Sequence, residues 1–268
     1  MKARLSALII TKNSEETIRK TLESVKEFYE IIIVDSLSKD ETIAIIQKFK
    51  NYSKSINWQA KISIYQNEFG NDIGKQRKYG LKYCSGDWIL ILDSDEIVSE
   101  KLVKEIKSVI RNPKLTKSAY EIPYQNYFLD QQVNHGGENY KMVRLFKKSA
   151  LEIHSSILHN RLFVKEGKIG KLKRKIFHHS YRSYWQVFVK FTDYSFRMAK
   201  IKQSHREKST FKKIFLYPIH MFLARYVEDK GYKDGFFRIP LDLGFAYIEF
   251  LTYMILFFYN LRYRFLEK

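Results

Sequence analysis

The sequence predicts an α/β protein with a mixed, mostly parallel sheet flanked by helices and a helical C-terminal appendage. Three observations lead to this fold class. Short apolar runs that contain β-branched residues and are bounded by polar residues or glycine are typical of buried strands in a parallel sheet. Segments with a helical spacing of apolar residues alternate with these runs, as in right-handed βαβ units. From about residue 181 onward the pattern is helical.

The first 112 residues contain four predicted strands with helices between them. The predicted strands are residues 5–10, 31–34, 61–65 and 88–92. The first helix carries Ile18, Leu22 and Val25 on one face, the second begins at Asp40, and the third follows the loop 70–74. This order predicts parallel strands whose carboxyl ends lie at one edge of the sheet.

Polar side chains follow three of these strands. Thr11 and Asp35 come after the first two strands, and Asp93-Ser94-Asp95-Glu96 comes after the fourth. In open α/β sheets, ligands bind beyond the carboxyl ends of the strands. Two carboxylates two residues apart at that edge can hold one hard divalent cation, Mg²⁺ or Mn²⁺, and through it a diphosphate. Acids before a helix also favour its dipole, but three polar strand ends together favour a binding site.

These segments resemble the start of the family 2 glycosyltransferases. The matching segments are residues 8–13, 22–25, 30–36, 38–42, 74–77 and 86–88, with the acidic turn 93–96. The closest resemblance is to the bacterial branch that builds lipopolysaccharide or lipooligosaccharide cores, often called β-glucosyltransferase-like. That branch also shows the motifs Asn126-Tyr127-Phe128-Leu129, His135-Gly136-Gly137, Arg144-Leu145-Phe146 and Lys230-Gly231-Tyr232-Lys233-Asp234-Gly235-Phe236.

The resemblance implies a GT-A fold and the inverting transfer of a sugar from a nucleotide donor. It implies that Asp35 contacts the donor base, with Thr11 and Asn13 nearby. Asp93 would lie near the ribose or the metal, and Asp95 would ligate the metal that bridges the diphosphate. The remaining donor contacts that it implies, along the nucleotide pocket, are Lys75 and Arg77. A divalent cation and nearby side-chain cations would stabilise the charge of the leaving diphosphate.

Inversion also needs a general base on the acceptor side. The base must take the proton of the acceptor hydroxyl from the face opposite the leaving group. The related branch usually has Val-His-Glu where this chain has Leu158-His159-Asn160, and the usual motif after His-Gly-Gly is replaced around Glu138. We rank Glu138 and His159 equally as the base, with His135 behind them as an acceptor or phosphate contact. His154 is a further candidate.

Positive charge is concentrated in the second half of the chain. Residues 1–112 contain 19 basic and 16 acidic side chains, a net charge of +3, and residues 113–268 contain 29 and 13, a net charge of +16. Two clusters, residues 165–175 and 200–213, carry much of this excess. Such clusters attract anionic lipid head groups, phosphorylated saccharides or nucleic acid, although a solvated lysine surface is the simplest alternative.

An aromatic, apolar segment follows, from residue 241 to 261. It is interrupted by Asp242 and Glu249, which makes it marginal as a membrane-spanning helix. Two alternatives remain: a helix that lies on an anionic leaflet, or a C-terminal helix that packs on the protein. No secretory signal is visible and Cys84 is the only cysteine, so we expect a cytoplasmic protein at the inner face of the membrane.

The expected organisation is therefore a donor half (1–112), an acceptor half of the same domain (113–180) and a basic helical region (181–268). The expected partners are a nucleotide sugar, a lipid-linked or phosphorylated saccharide acceptor and an anionic membrane surface, without nucleic acid. Two other classes stay open: a basic nucleic-acid-binding protein, and a nucleotidyltransferase with a metal at the same edge. The first does not explain the acids after successive strands. The second usually has a glycine-rich loop with Arg and Lys after its first strand, and this chain lacks that loop.

Overall fold

The computed structural model describes residues 3–56, 58, 60–68, 72–112, 116–154 and 161–266, with the backbone alone for residues 161 and 263–266. The chain forms two compact units. Unit 1 contains Met1–Tyr124 and Tyr140–His178, and unit 2 contains Gln125–Asn139 and His179–Lys268. The chain therefore passes from one unit to the other three times along its length.

The elements follow the predicted alternation in the first half and become helical toward the C-terminus. The strands are β1 (Leu5–Thr11), β2 (Glu30–Asp35), β3 (Lys61–Gln66), β4 (Trp88–Asp93), β5 (Glu96–Val98), β6 (Lys117–Phe128), β7 (Gln131–Val133), β8 (Lys141–Lys147), β9 (Leu151–His154), β10 (Arg161–Val164), β11 (Lys168–Lys171) and β12 (Ile176–Tyr181). The helices are α1 (Ile18–Ser24), α2 (Thr42–Ser55), α3 (Ile73–Leu81), α4 (Glu100–Arg111), α5 (Tyr184–Ser204), α6 (Phe211–Leu223) and α7 (Arg238–Leu266).

The main sheet has the strand order β3-β2-β1-β4-β8-β6-β12-β5. Strands β1 to β4 pair in parallel, and β8 pairs antiparallel to both β4 and β6. This confirms the predicted mixed, mostly parallel sheet flanked by helices. The parallel strands also bring Thr11 and Asp35 into register as partners, while Ile10 pairs with Asp93.

Apolar side chains on both faces of the central strands form the core of unit 1. Every residue of β1 and β2 is buried, which explains why these strands lack the alternation of a half-exposed strand. Side-chain caps begin the helices that cover the sheet: Asp72 accepts from the Lys75 amide at α3, and Ser99 accepts from the Leu102 amide at α4. Helix α1 begins at Ile18, and Ser14–Thr17 form a turn before it.

Unit 2 is built on three long helices. Helix α5 packs on α7 where Val187 and Phe191 meet Gly244, and a Cβ on Gly244 would lie 2.8 Å from the Phe191 ring. Helix α6 packs on α7 through a small cluster of Ile214, Tyr253 and Leu256. The predicted helical C-terminal region is confirmed.

Helix α7 contains the aromatic segment for which the sequence left two alternatives: a helix that lies on a membrane leaflet, or a helix that packs on the protein. Its residues Arg238–Arg262 are long and apolar enough to cross a membrane, with a mean hydropathy of 1.6. The core helix of a soluble protein meets the same two criteria, so length and composition alone do not distinguish the two. Within unit 2, α7 packs against both α5 and α6, and its first turns hold the fully buried ion pair Arg238–Asp242. Among the aromatic residues of α7 that the structure describes, Tyr253 is buried, Phe258 is exposed and the others are half-buried.

Candidate active site

The acidic turn after β4 is held in place by hydrogen bonds within unit 1. The Glu96 carboxylate accepts from the Asp93 amide at 3.0 Å and so closes the turn. Ser94 is tied to the loop after β1, because its hydroxyl lies 2.7 Å from the Ser14 hydroxyl and its carbonyl accepts from Thr21 at 2.9 Å. The turn that carries the predicted metal ligands is thus fixed to its neighbouring strand.

Two arginines hold the carboxylate of Asp93. Arg77 donates to its Oδ1 at 2.8 Å, and Arg144 donates to its Oδ2 at 3.0 Å. Burial alone would raise the pKa of Asp93, but these two guanidinium groups hold it well below its usual range. Asp93 is therefore an ionised, oriented group whose charge is already balanced.

Arg144 is itself buried in a polar network. It donates to Glu96 at 3.0 Å and to the Tyr124 hydroxyl at 2.8 Å, and that hydroxyl donates to Glu96 at 3.0 Å. Burial raises the pKa of Glu96, with Asp93 adding to the rise, while Arg144 opposes it. This network supports the turn from below and connects it to strands β6 and β8.

Asp95 lies beside a histidine that the sequence reasoning did not select. Its Oδ2 is 3.5 Å from Nε2 of His178, which lies on β12, and Nδ1 of that ring is 3.3 Å from the Tyr140 hydroxyl. Two atoms that each bind one ion at about 2.1 Å lie about 3.0–4.2 Å apart, so this pair fits a shared cation. Both side chains are partly exposed.

The described residues contain no group of three or more His, Cys, Asp or Glu side chains that could hold a metal ion. A two-ligand site still suits Mg²⁺ or Mn²⁺. Mg²⁺ usually keeps several waters and takes one or two carboxylates plus substrate phosphates. The carboxylate and imidazole of Asp95 and His178 therefore fit a cation that the donor diphosphate would help to coordinate.

The predicted donor-base contacts lie together at the ends of β1 and β2. Asp35 is fully buried and accepts from the Ser38 amide at 3.0 Å and from its hydroxyl at 2.5 Å. The neighbouring Thr11 hydroxyl is buried without a hydrogen-bond partner among the described residues. Asn13 has a φ of 48° and ties the two loops together, because its side chain accepts from the Lys39 amide. The edge is thus a rigid loop pair around one carboxylate.

Lys75 and Arg77 of helix α3 have different surroundings. Lys75 is exposed in the first turn, where its amide donates to Asp72. Arg77 is buried and contacts Asp93 directly. Of the two, only Arg77 therefore joins the acidic turn through a recorded contact, while the Lys75 ammonium is available to solvent or to a ligand.

The candidates for the general base have very different surroundings in the described part of the chain. Glu138 is buried in unit 2, where it accepts from Arg225 at 2.5 Å and from the Asn126 side chain at 3.1 Å. His159 lies outside the described residues. His154, at the end of β9, is exposed and 3.1 Å from Glu152.

His135 forms a carboxylate–imidazole pair in unit 2. Its Nδ1 lies 2.7 Å from Oδ1 of Asp234, and the Oδ2 of the same carboxylate accepts from the backbone amides of Asn134 and His135. The Asp234 side chain is nearly fully buried, whereas the His135 ring is partly exposed. A carboxylate on Nδ1 fixes the tautomer and leaves Nε2 as the proton acceptor.

Sequence reasoning missed three side chains of this site: His178, Arg144 and Tyr124. A signal was present for His178, since it is one of two adjacent histidines in the segment that precedes the helical region, on β12. Arg144 was noted only as part of a motif, because nothing local in a strand indicates which distant acids an arginine will meet. Tyr124 is an ordinary strand residue by pattern, and only the fold brings its hydroxyl to Glu96.

Comparison with known proteins agrees with the family that the sequence resembles. Residues 6–170 match the family model described as glycosyl transferase family 2. An uncharacterized glycosyltransferase from Rickettsia felis is 28% identical over 262 residues, which cover 92% of this chain and 87% of that protein. A lipopolysaccharide core biosynthesis glycosyltransferase, LpsC of Rhizobium meliloti, is 25% identical over 261 residues, again 92% of this chain and 87% of the other.

A solved structure shares the fold. The crystal structure of Staphylococcus aureus TarS 1–349 in complex with UDP-GlcNAc aligns over 96% of this chain and 91% of that chain, with a TM-score of 0.51 and 14% identity. A longer TarS structure, of which the alignment covers 55%, gives a TM-score of 0.52. At such low identity the likeness shows the fold alone.

Proposed function

Because this chain belongs to glycosyl transferase family 2 and has the GT-A fold, we propose that it is a metal-dependent inverting transferase. In this proposal it moves a sugar from a nucleoside-diphosphate donor to a lipid-linked or lipopolysaccharide-core acceptor. The observation that carries the proposal is the pair Asp95 and His178 beside an Asp93 that two arginines hold in place. Family membership favours sugar transfer over the nucleotidyltransferase and nucleic-acid-binding alternatives.

We assign donor binding to the edge formed by β1, β2 and β4. Asp35 would accept from an N–H of the base, because a buried carboxylate retains lone pairs beyond those that Ser38 uses. Arg77 and Arg144 would keep Asp93 oriented toward the ribose or the metal. Asp95 and His178 would hold the cation, which when bound stabilises negative charge on the leaving diphosphate.

For the general base, we propose His135 ahead of Glu138. The Asp234 carboxylate would stabilise the imidazolium that forms when Nε2 takes the proton of the acceptor hydroxyl. Glu138 is buried and paired with Arg225 at 2.5 Å and with Asn126 at 3.1 Å, whereas the His135 ring is partly exposed and can meet an acceptor. His159 stays a candidate, since it lies outside the described residues.

The acceptor class and the location are supported by charge and by similarity. The printed name of LpsC refers to lipopolysaccharide core biosynthesis, and that protein matches nearly the whole chain. The net charge of +16 in residues 113–268 suits a phosphorylated saccharide or an anionic membrane surface. We therefore propose a cytoplasmic enzyme that works peripherally at the inner face of the membrane.

The proposal is tested by a screen of nucleotide sugars for hydrolysis in the presence of Mn²⁺ or Mg²⁺, with and without EDTA. Once a donor is found, Asp95→Asn and His178→Ala should each lower turnover at least about hundredfold, as removal of a metal ligand or its supporting group does. Asp87→Asn is the matched control, because Asp87 is an exposed carboxylate of the same unit that accepts from Arg4 and has no recorded contact with the acidic turn among the described residues. Full activity of Asp95→Asn, or in excess EDTA, would contradict the metal assignment.

The base is tested by a second set of variants. His135→Gln should lower kcat at least about hundredfold with little change in the donor KM, and Asp234→Asn should lower it less. Glu138→Gln and His159→Ala are compared in the same assay. If His159→Ala or Glu138→Gln has the largest effect on kcat and His135→Gln has none, His135 is not the base.

A further inference from the structure

The outward face of helix α6 is apolar. Within Phe211–Leu223 only Ile214 is buried, and no acidic residue occurs in this helix. A surface helix normally turns its polar side to water, whereas most of the exposed side chains of α6 are apolar, with Lys212 and His220 among them. Six apolar side chains, each 46–69% exposed, lie along α6 and the turn that follows it: Phe211, Phe215, Leu216, Ile219 and Leu223 on the helix and Val227 after it. We call these six residues the α6 face.

A cleft with basic walls lies at the N-terminal end of the same helix. Its volume is about 660 Å³, and its lining includes Arg206, Lys208, Thr210 and Phe257. The Phe211 ring of the α6 face packs on Phe257, with 5.6 Å between the ring centres, so the cleft and the apolar face are continuous. None of the described residues that line the cleft is acidic.

The acid nearest to this lining in sequence does not cancel its charge. Glu207 lies between Arg206 and Lys208, but its carboxylate is taken by Lys202 at 3.0 Å and by Lys213 at 2.7 Å. Arg206 and Lys208 are exposed. Two cations of the lining are therefore available to an anion.

The backbone at Arg206 is unusual for its residue type. Arg206 follows helix α5 with a φ of 56°, the left-handed position at which helices most often place glycine. Its amide donates to the Gln203 carbonyl and so closes the end of the helix. An arginine at this position has a conformational cost that glycine avoids. In this conformation Arg206 forms part of the lining of the cleft.

We propose that the α6 face inserts into the acyl boundary of an anionic phospholipid leaflet while Arg206 and Lys208 bind a lipid phosphate in the cleft. An apolar stripe with a phosphate-binding cleft at one end matches a lipid, which carries its anion at the end of apolar chains. A second copy of the chain fits less well, since a two-fold contact pairs this surface with itself, and neither α6 nor the described lining of the cleft has an acid to meet Arg206 and Lys208. The proposal rests on the proposed location at the membrane, and it places the contact on α6 rather than on the aromatic residues of α7.

Point variants test this surface better than truncation, because removal of residues from Arg238 onward would delete the buried ion pair with Asp242. The assay is sedimentation of the full chain with phosphatidylcholine vesicles, with and without phosphatidylglycerol. Ile219→Glu and Leu216→Ser should weaken binding at least about tenfold, because the acyl boundary excludes polar groups. Arg206→Gly should weaken binding to the anionic vesicles about fivefold, the factor for one surface cation, and leave the apolar part intact.

Two controls match these variants. Ile56→Glu introduces the same charge at an exposed isoleucine of unit 1. Lys48→Gln removes one positive charge at an exposed residue of helix α2 in unit 1. Both should bind vesicles as the unchanged protein does, and added salt should reduce binding without abolishing it.

Three outcomes would overturn the proposal: no binding to anionic vesicles, equal losses in the controls, or an α6 variant that separates a dimer and leaves vesicle binding unchanged. The last outcome would assign the face to a second copy. Donor hydrolysis measured without vesicles separates this proposal from the proposed function. Donor hydrolysis should be unchanged in the α6 variants. If no protein, including the unchanged one, hydrolyses a donor while vesicle binding is intact, that result would count against the proposed transferase function and not against the membrane contact.

Discussion

Replacement of Arg144 by methionine should destabilise unit 1 strongly. The change keeps an unbranched side chain of comparable length but removes the cation that contacts Asp93 and Glu96, each at 3.0 Å. Glu96 is fully buried, so it would be left as a buried charge without its ion-pair partner. Loss of one partner from a buried pair costs about 3–5 kcal/mol. We expect a decrease of that size in the free energy of unfolding.

A second substitution should then restore most of that stability. Glu96→Gln neutralises the buried carboxylate yet keeps an oxygen that can accept from the Asp93 amide. Replacement of a whole buried pair by neutral groups is often nearly neutral. In the Arg144→Met background, Glu96→Gln should therefore recover at least about 2 kcal/mol, whereas alone it should destabilise.

The assay is urea unfolding of the four proteins at pH 7, followed by tryptophan fluorescence in a Trp185→Phe background, so that the signal comes from unit 1, where Trp88 is buried against Tyr120. Additivity of the two substitutions within about 0.5 kcal/mol would refute the reasoning, because it would mean that the two groups do not interact.

A pH series adds a second check, in which the direction of the change in stability is predicted. Burial already raises the pKa of Glu96 above its usual 4.5. Its stabilising proton is lost as pH rises, so the deficit of Arg144→Met should be smaller at pH 5 than at pH 8.

Three further predictions concern single residues. Asp35→Asn should raise the donor KM about tenfold or more with little effect on kcat, and an unchanged KM would remove Asp35 from the base site. Arg206→Gly should raise the free energy of unfolding by up to about 1 kcal/mol, since glycine suits the left-handed position, and the midpoint temperature of thermal unfolding should rise with it. Burial raises the pKa of the Glu207 carboxyl, but hydrogen bonds from Lys213 and Lys202 outweigh this effect and lower the pKa to about 2. For this partly exposed group, Glu207→Gln should therefore cost about 1–2 kcal/mol above pH 5, and the cost should disappear as pH falls toward 2.

The fold could be predicted largely because its signals are local. Residues such as Ile31 to Val34 are apolar without alternation, and only a strand buried on both faces needs that pattern. The short strand β5 was not predicted, because three residues give no periodicity, and it depends on antiparallel pairing with β12 far along the chain. The helical region predicted from about residue 181 begins with α5 at Tyr184, where the side chain of Ser183 caps the helix.

The candidate site could be predicted only in part, for a physical reason. Asp93 and Asp95 could be placed in one turn at the sheet edge because acids directly after a buried strand are visible in the sequence. Their partners Arg144 and His178 come from strands 51 and 83 residues later in the chain, and only tertiary structure selects one arginine or histidine among many. The same limit applies to the aromatic run: sequence locates its apolar residues on α7, but packing decides that α6 keeps the exposed face.

The pairing of His135 with Asp234 has a consequence for how the protein is made. Ninety-nine residues separate these two side chains, and Glu138 likewise waits for Arg225, 87 residues later. At a synthesis rate of about 5–20 residues per second, the segment 125–139 leaves the ribosome several seconds before its partners exist. During that interval unit 1 has nearly all the strands of its sheet, while the proposed base has no carboxylate. A chain released before Asp234 would thus carry a donor site without a complete acceptor-side pair, so the ability to transfer sugar would be acquired only near the end of translation.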